Sequence, residues 1–192
     1  MVEDDEREAE LEAAVVEIES RPTDWLEALY VEHAAMVVQT AFRVTGNPAD
    51  AEDVLQTVFF RLARREALPR FTSGCGAYLR RAATNAALDI VQSRFARSGT
   101  SFDAIPDTAF ADPTPHPDRR LDGRELAREL RRILSELSRR SAEVFVLKYF
   151  EGLDNRSIAK LLGTSTGTVA VTLHRARAKI KREMASRMGG AP

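Results

Sequence analysis

Two short helical patterns separated by a glycine lie in residues 151–181, and they constrain the fold more than any other part of the sequence. Ile158 and Leu162 lie on one face of the first pattern, which ends at Gly163. The second pattern begins after Ser165 and continues into a basic segment. Two short helices joined by a tight turn that contains glycine are typical of a helix-turn-helix, in which the second helix enters a DNA groove. An ordinary helical hairpin is the alternative at this point.

Five further helices are predicted upstream, because apolar residues recur there at helical spacing and no strand alternation persists. The triplet Gly46-Asn47-Pro48 predicts one helix end and the next helix start, with Asn47 as the cap and Pro48 in the first position. Ser138 is predicted to cap another helix. The predicted spans are 24–45, 48–65, 77–96, 121–137 and 138–150. The expected fold class is therefore all-α.

Residues 98–117 differ in kind from the rest, since they contain four prolines, three aspartates and no Lys or Arg. This composition predicts an extended linker. We expect it to separate two small helical domains, of which the C-terminal one has four helices including the helix-turn-helix. The predicted segments are an acidic N-terminal extension at 1–21, a first domain at 22–97, the linker at 98–117 and a second domain at 118–187.

The net charge of −1 hides a gradient along the chain. Residues 1–20 hold nine acidic residues against Arg7, whereas residues 118–192 hold 17 Lys or Arg against nine Asp or Glu. A basic half of this kind favours a polyanionic partner. The acidic extension is interpreted either as a solvated, frayed helix or as an arm that covers a basic DNA-binding face until a partner displaces it.

Several classes of function are not supported by the composition. The single cysteine, Cys75, excludes a disulfide framework and a Cys-based zinc site, and the three histidines show no ligand spacing. No apolar run is long enough to span a bilayer and no leader opens the chain, so a cytoplasmic protein without membrane contact is expected. No residue set suggests catalysis, a metal site or a cofactor.

The predicted helix over residues 77–96 has two faces of different character. Its apolar face, with Leu79 and Ala83 among its members, is expected to contact the core. The opposite face, which includes Arg81, Asn85 and Leu88, is expected to be exposed. Guanidinium groups bind phosphates, amides read base edges and aromatic rings stack on bases, so this face suits nucleic acid. A solvated polar face is the alternative.

Two separate blocks of the sequence resemble the extracytoplasmic-function group of RNA polymerase sigma factors. Residues 29–62 and 77–94 are similar to region 2 of that family, and residues 134–180 are similar to region 4. The resemblance implies a transcription initiation factor, with no enzyme activity, that binds core RNA polymerase and directs it to promoters. The expected state outside the holoenzyme is a monomer. Such factors are commonly held inactive by an anti-sigma protein, for which the linker and the groove between the domains are the expected place.

The resemblance also implies three sets of binding residues. The polymerase-binding set is Asp50, Asp53, Gln56, Thr57, Arg61 and Arg64. The set that recognises and melts the −10 element is Tyr78, Arg80, Arg81, Asn85, Gln92 and Arg94. The set that contacts the −35 element is Ser165, Thr166, Thr168, Thr172, His174, Arg175 and Arg177.

The chain departs from the family pattern at two places. Thr84 occupies a position where relatives usually have Arg, which is expected to weaken the electrostatic grip on the −10 element. In the recognition helix, residues 169–173 read Val-Ala-Val-Thr-Leu, whereas relatives commonly have two basic residues and a hydroxyl within this segment. Weak or unusual −35 recognition is therefore expected, with Arg175 as the most costly single loss.

Two other functions compete with this interpretation. A stand-alone helix-turn-helix regulator would bind palindromic half-sites as a symmetric dimer without polymerase. A nucleic-acid-processing enzyme would need a carboxylate cluster placed for a metal ion, which the sequence does not offer.

Overall fold

The computed structural model describes residues 24–65, 74–97 and 117–188. These ranges contain seven helices and no strand, so the all-α prediction is confirmed. The helices are α1 (Asp24–Thr45), α2 (Pro48–Ala63), α3 (Cys75–Arg97), α4 (Pro117–Glu136), α5 (Arg139–Tyr149), α6 (Asn155–Leu162) and α7 (Thr166–Met188). The predicted N-terminal extension, and the linker up to residue 116, lie outside the described residues.

The junction between α1 and α2 has the predicted caps. Gly46 has a φ of +68°, a conformation that a side chain would strain. Asn47 accepts a hydrogen bond from the Ala49 N–H, and Pro48 occupies the first helical position. The chain therefore reverses direction here within two residues, which places α1 against α2.

Ser138 caps α5, as predicted, by accepting a hydrogen bond from the Ser141 N–H. Two helices begin earlier than the sequence pattern indicates: α3 begins at Cys75 and α4 begins at Pro117. Proline is compatible with the first position of a helix, because its missing N–H has no partner there in any case.

One apolar core extends through most of the described chain. Helices α1, α2 and α3 pack together around buried side chains such as Val44, Leu62 and Leu79. The same core continues into α4 and α5 through Leu134 and Phe145. The first three helices and the later ones are therefore joined by apolar packing in this structure.

A second, smaller core supports the helix-turn-helix. Val144 and Leu147 of α5 pack against Ile158 of α6 and against Val169 and Leu173 of α7. The turn between α6 and α7 is made by Gly163, whose φ of +61° lies in the left-handed region. This packing fixes α7 so that its opposite side faces outward.

Two expectations about exposure are wrong. Leu88 is fully buried, although it lies on the face of α3 that was expected to be exposed, because α4 and α5 pack against that face. The helical spacing of Leu26, Leu29, Tyr30 and Val37 predicts that Tyr30 lies on the buried face of α1, yet it is 47% exposed. Its ring contacts the edge of Phe59 at a centroid distance of 5.0 Å and lies at the rim of the core.

Within the described ranges, no helix is both long and apolar enough to cross a bilayer. The same residues contain no group of three or more His, Cys, Asp or Glu side chains arranged to hold a metal ion.

Candidate nucleic-acid and polymerase interfaces

The exposed side of α7 carries most of the residues predicted to contact the −35 element. His174 and Arg175 are exposed on the surface, while Leu173 is buried in the smaller core and Ala176 in the larger one. The other exposed members of the predicted set are Ser165, Thr166, Thr168 and Arg177. The helix therefore presents one outward face, as insertion into a groove requires.

The hydroxyl groups at the start of α7 stabilise the helix. Ser165 accepts a hydrogen bond from the Thr168 N–H through its Oγ at 3.0 Å, which is the geometry of an N-cap. The Thr172 hydroxyl donates to the Thr168 carbonyl at 2.8 Å. These groups can accept a further partner, but part of their hydrogen-bonding capacity is already used.

Val171 is a residue that the sequence interpretation did not single out. It is 51% exposed on the outward side of α7, next to the exposed Ala170. An exposed valine on the first turns of a recognition helix offers an apolar contact of the kind that suits a thymine methyl group. Its exposure could have been predicted from the register of Val169 and Leu173, which must face inward.

The residues of α3 that were predicted to contact the −10 element meet acidic side chains from the second half of the chain. Arg80 Nη1 donates to Glu151 Oε2 at 2.5 Å, and Arg81 Nε donates to Glu143 Oε1 at 2.8 Å. Asn85 donates to the same Glu143 oxygen at 3.1 Å. Arg80, Arg81 and Asn85 are thus brought together, but they face α5 and the loop that follows it.

The remaining predicted −10 residues lie at the two ends of this surface. The guanidinium carbon of Arg65 lies over the Tyr78 ring, 5.8 Å from its centroid, which is within the range of a cation–π interaction. Arg94 forms an ion pair with Asp50, a residue of the predicted polymerase-binding set. Gln92 is half-buried.

Thr84 is fully buried, so it lies inside the packed structure and not on an open DNA-binding surface. Within the described part of the chain, its hydroxyl has no hydrogen-bond partner, and neither does the side-chain oxygen of Asn85. Leaving such groups buried without a partner costs about 1–3 kcal/mol each. An Arg at position 84 would have to bury a charge in this packing.

Glu143 is a nearly buried carboxylate that sequence reasoning missed. Burial raises the pKa of Glu143. Hydrogen bonds from Arg81, Asn85 and Arg140, together with the charge of Arg81, lower the pKa by more than burial raises it, so that it lies below its ordinary value of 4.5. Glu143 lies between two apolar residues, Ala142 and Val144, which are both buried. This position in the sequence was a signal that Glu143 is buried. A charged residue inside an apolar run requires a partner.

The stability that Glu143 contributes should therefore depend on pH. A lowered pKa in the folded state stabilises the protein above the ordinary pKa, and this contribution is lost as the pH falls through the folded-state pKa. We expect the free energy of unfolding of the wild type to fall more steeply than that of Glu143→Gln between about pH 5 and about pH 3. Urea denaturation of both proteins across this range measures the difference, and parallel curves would contradict it.

The polymerase-binding set lies on α2 and is mostly accessible. Asp53, Gln56, Arg61 and Arg64 are exposed, and Thr57 is half-buried. Phe60, which was not predicted, is 62% exposed between them, and the Arg64 guanidinium carbon lies 5.6 Å from its ring centroid. A large exposed aromatic residue flanked by cations is a typical centre of a protein-binding surface.

A groove of about 550 Å³ runs between α2 and α3. Its lining is mainly charged and comprises Asp50, Asp53, Asp89, Ile90, Ser93, Arg94 and Arg97. The groove therefore brings Asp50 and Asp53 of the predicted polymerase-binding set close to Arg94 of the predicted −10 set.

The family models match both halves of the chain. The model described as "Sigma-70 region 2" matches residues 29–96, and the model described as "Sigma-70, region 4" matches residues 127–180. The first match covers α1, α2 and α3 except for their outermost residues, and the second covers the helix-turn-helix. These matches define the class as a protein that carries sigma-70 regions 2 and 4.

Characterised relatives agree with these matches. The chain is 33% identical over 152 residues to the RNA polymerase sigma-E factor of Streptomyces avermitilis, covering 79% of this chain and 80% of that protein. It is also 33% identical over 158 residues to the ECF RNA polymerase sigma factor SigL of Mycobacterium tuberculosis, covering 78% of this chain and 82% of the relative. The chain belongs to the extracytoplasmic-function group of sigma-70 RNA polymerase sigma factors.

Two solved structures share the fold. The structure of CnrH in complex with the cytosolic domain of CnrY has a TM-score of 0.50 and 23% identity, covering 90% of this chain and 95% of that one. The sigma factor RpoE in complex with the anti-sigma factor NepR from Bartonella quintana has a TM-score of 0.51 and 16% identity, covering 86% of this chain and 99% of the other.

Proposed function

We propose that this protein binds core RNA polymerase through α2, holds and melts the −10 element with α3, and contacts the −35 element with α7. Its membership of the sigma family makes it a promoter-directing factor. What we propose is the role of each helix in that function. The observation that carries it is the placement of regions 2 and 4 in family order, with predicted contact residues exposed on α2 and α7.

The proposed role of α3 follows from the chemistry of its side chains. Melting a promoter requires bases to leave the stack, at a cost of a few kcal/mol for each base. Tyr78 offers a stacking surface for an unpaired base, while Asn85 and Gln92 offer amides that read base edges. Arg80, Arg81 and Arg94 supply cations for the phosphates of the unwound strand. Bond formation in RNA is left to the polymerase.

Replacing Arg175 with alanine is expected to weaken promoter binding by the holoenzyme by about tenfold, because one good guanidinium contact contributes about 1–3 kcal/mol. Ala170→Lys should strengthen binding, since it restores a cation on the exposed face. Footprint titrations of the two holoenzymes on a promoter that carries the −35 element measure both effects. An unchanged affinity for either variant would show that α7 does not contact the promoter as proposed.

The rival function, a stand-alone dimeric regulator, makes different predictions about the free protein. We expect the purified chain to sediment as a monomer, to bind duplex promoter DNA poorly by itself and to co-purify with core polymerase. Symmetric dimer binding to palindromic duplex sites in the absence of polymerase would favour the rival.

We also propose an anti-sigma partner, supported by the structure of the sigma factor RpoE from Bartonella quintana, which shares the fold and was solved in complex with the anti-sigma factor NepR. Its proposed binding place is the linker and the groove between the two regions. Because its proposed partners are polymerase and promoter DNA, the protein is expected to act in the cytoplasm.

A further inference from the structure

We propose that Val171 is a specificity-determining residue of α7, which recognises the C5-methyl group of a thymine in the −35 element by apolar contact. The chemical class of its ligand is a pyrimidine with a methyl group at C5, so 5-methylcytosine should be accepted in the same place. This inference rests on the proposed function of α7, and it adds the kind of base that the helix selects.

Val171 lies at the middle of the outward face of α7. At about 100° per residue, it is about 200° away from Val169 and about 160° away from Leu173 around the helix axis. Val169 and Leu173 are 1% and 4% exposed, whereas Val171 is 51% exposed. The middle of a recognition helix in the major groove faces the base edges, while its flanks face the phosphates. Val171 is therefore placed to contact a base and not the DNA backbone.

The neighbours of Val171 on this face are small. Gly167 lies one turn before it, Ala170 is next to it and Ala178 lies two turns after it, and all three are exposed. A Cβ atom added at Gly167 would have only Ser165 Oγ within 4 Å, at 3.7 Å. Because small residues surround one branched side chain, the helix can approach the floor of the groove closely enough for Val171 to reach a methyl group there.

The hydroxyl groups close to Val171 are partly engaged within the helix. Ser165 Oγ accepts a hydrogen bond from the Thr168 N–H at 3.0 Å and lies 2.9 Å from Thr168 Oγ1. The Thr172 hydroxyl donates its one hydrogen to the Thr168 carbonyl at 2.8 Å, so it can only accept from a base. Hydrogen-bond readout is therefore restricted around Val171, and apolar contact is the main selectivity that this part of the face can supply.

The major groove offers one apolar group that distinguishes a base pair, the C5-methyl group of thymine. The other distinguishing groups at the base edges are hydrogen-bond donors or acceptors. A valine against them would remove their water without replacing the hydrogen bond, which is unfavourable. Contact with Val171 therefore favours thymine. Since 5-methylcytosine carries its methyl group on the same ring atom, the contact should depend on the methyl group and not on which pyrimidine carries it.

Removal of single methyl groups from the DNA tests this contact. The probe is a promoter fragment that holoenzyme containing this protein transcribes, with each thymine of the −35 element, on either strand, replaced in turn by deoxyuridine. Deoxyuridine lacks only the C5-methyl group. We expect one position at which the replacement weakens binding of the wild-type holoenzyme about fourfold, which corresponds to about 0.8 kcal/mol for one buried methyl-sized group. The absence of any such position would overturn the proposal.

Val171→Ala provides the second half of the measurement. Its holoenzyme should bind the unmodified promoter about fourfold more weakly than the wild type does. At the sensitive position, it should bind the thymine and deoxyuridine forms within about 1.5-fold of each other, because the two truncations remove the same contact. Alanine favours a helix more than valine does, so α7 remains folded, which circular dichroism checks.

Val31→Ala is the matched control, since it removes the same atoms from a residue that is 78% exposed on α1. Its holoenzyme should show the full deoxyuridine effect. A deoxyuridine effect of the same size in Val171→Ala would assign the methyl contact to another residue and would contradict the proposal.

A cytosine·guanine pair at the sensitive position separates the methyl group from the rest of the base. The wild-type holoenzyme should bind 5-methylcytosine about fourfold more tightly than cytosine there, and the Val171→Ala holoenzyme should bind the two equally. Equal binding of the two bases by the wild type would show that the methyl group itself is not recognised.

Failure of this inference and failure of the proposed function give different results. If Arg175→Ala weakens promoter binding but deoxyuridine has no effect at any −35 position, α7 contacts the promoter and only the methyl contact is wrong. If Arg175→Ala, Val171→Ala and the deoxyuridine promoters all leave the affinity unchanged, α7 does not contact the promoter, and the proposed function of this helix is wrong as well.

Discussion

Replacing Leu134 with alanine is expected to lower the free energy of unfolding by about 3 kcal/mol. Leu134 is fully buried in α4 and belongs to the core that joins α4 and α5 to the first three helices. Truncation of a leucine at such a site removes apolar burial and leaves a cavity that close-packed neighbours fill only in part. Urea denaturation followed by circular dichroism at neutral pH measures the change.

Leu126→Ala is the matched control for this experiment. It removes the same atoms from the same helix, but Leu126 is 45% exposed. Its substitution should cost only about 1 kcal/mol, because nearly half of the Leu126 surface stays in water on folding. Equal losses at positions 126 and 134 would show that α4 does not dock against the first three helices in solution.

Replacing Phe60 with alanine is expected to weaken binding to core polymerase by about 30-fold, or about 2 kcal/mol, without loss of stability. Phe60 is 62% exposed on α2 and lies beside Arg64, among the residues that the family resemblance assigns to polymerase binding. Exposed aromatic side chains near the centre of a charged patch often contribute most of the binding free energy. Fluorescence anisotropy titration of labelled sigma with core polymerase measures the affinity.

Val31→Ala provides the comparison for Phe60→Ala. Val31 is 78% exposed on α1, outside the predicted polymerase-binding set. Its substitution should leave the affinity for core polymerase unchanged within about twofold, since an exposed residue outside an interface contributes little. If the two variants bound polymerase equally well, the assignment of the α2 face as the polymerase-binding surface would be wrong.

Local structure was largely predictable from the sequence, because its causes are local. The caps at Asn47 and Ser138 and the turn at Gly163 follow from single residues whose backbone preferences are strong. The helices that start at Cys75 and Pro117 begin before their predicted starts, because the apolar pattern that was used to predict them begins only after their first residues. The recognition helix was also predictable, because the inward positions Val169 and Leu173 fix which side faces out.

The docking of region 4 on α3 could not be predicted in the same way. The face with Arg81 and Asn85 has the composition of a solvated or DNA-binding surface, and its partner is a carboxylate 62 residues away from Arg81 in the chain. Periodicity within one helix carries no information about such a distant partner. The weak signals were Leu88 on the polar face of α3 and Glu143 inside an apolar run, and both are explained by a second buried face.

Run-off transcription with purified core RNA polymerase tests the central claim most directly. A library of genomic fragments is transcribed with core alone, with core plus the wild-type protein, and with core plus Phe60→Ala at a concentration that saturates only the wild type. We predict discrete transcripts that require the wild-type protein and share a common upstream sequence, with a strong loss of these transcripts for Phe60→Ala. The absence of any promoter-specific transcript with the wild type, together with a failure to co-purify with core, would contradict the account.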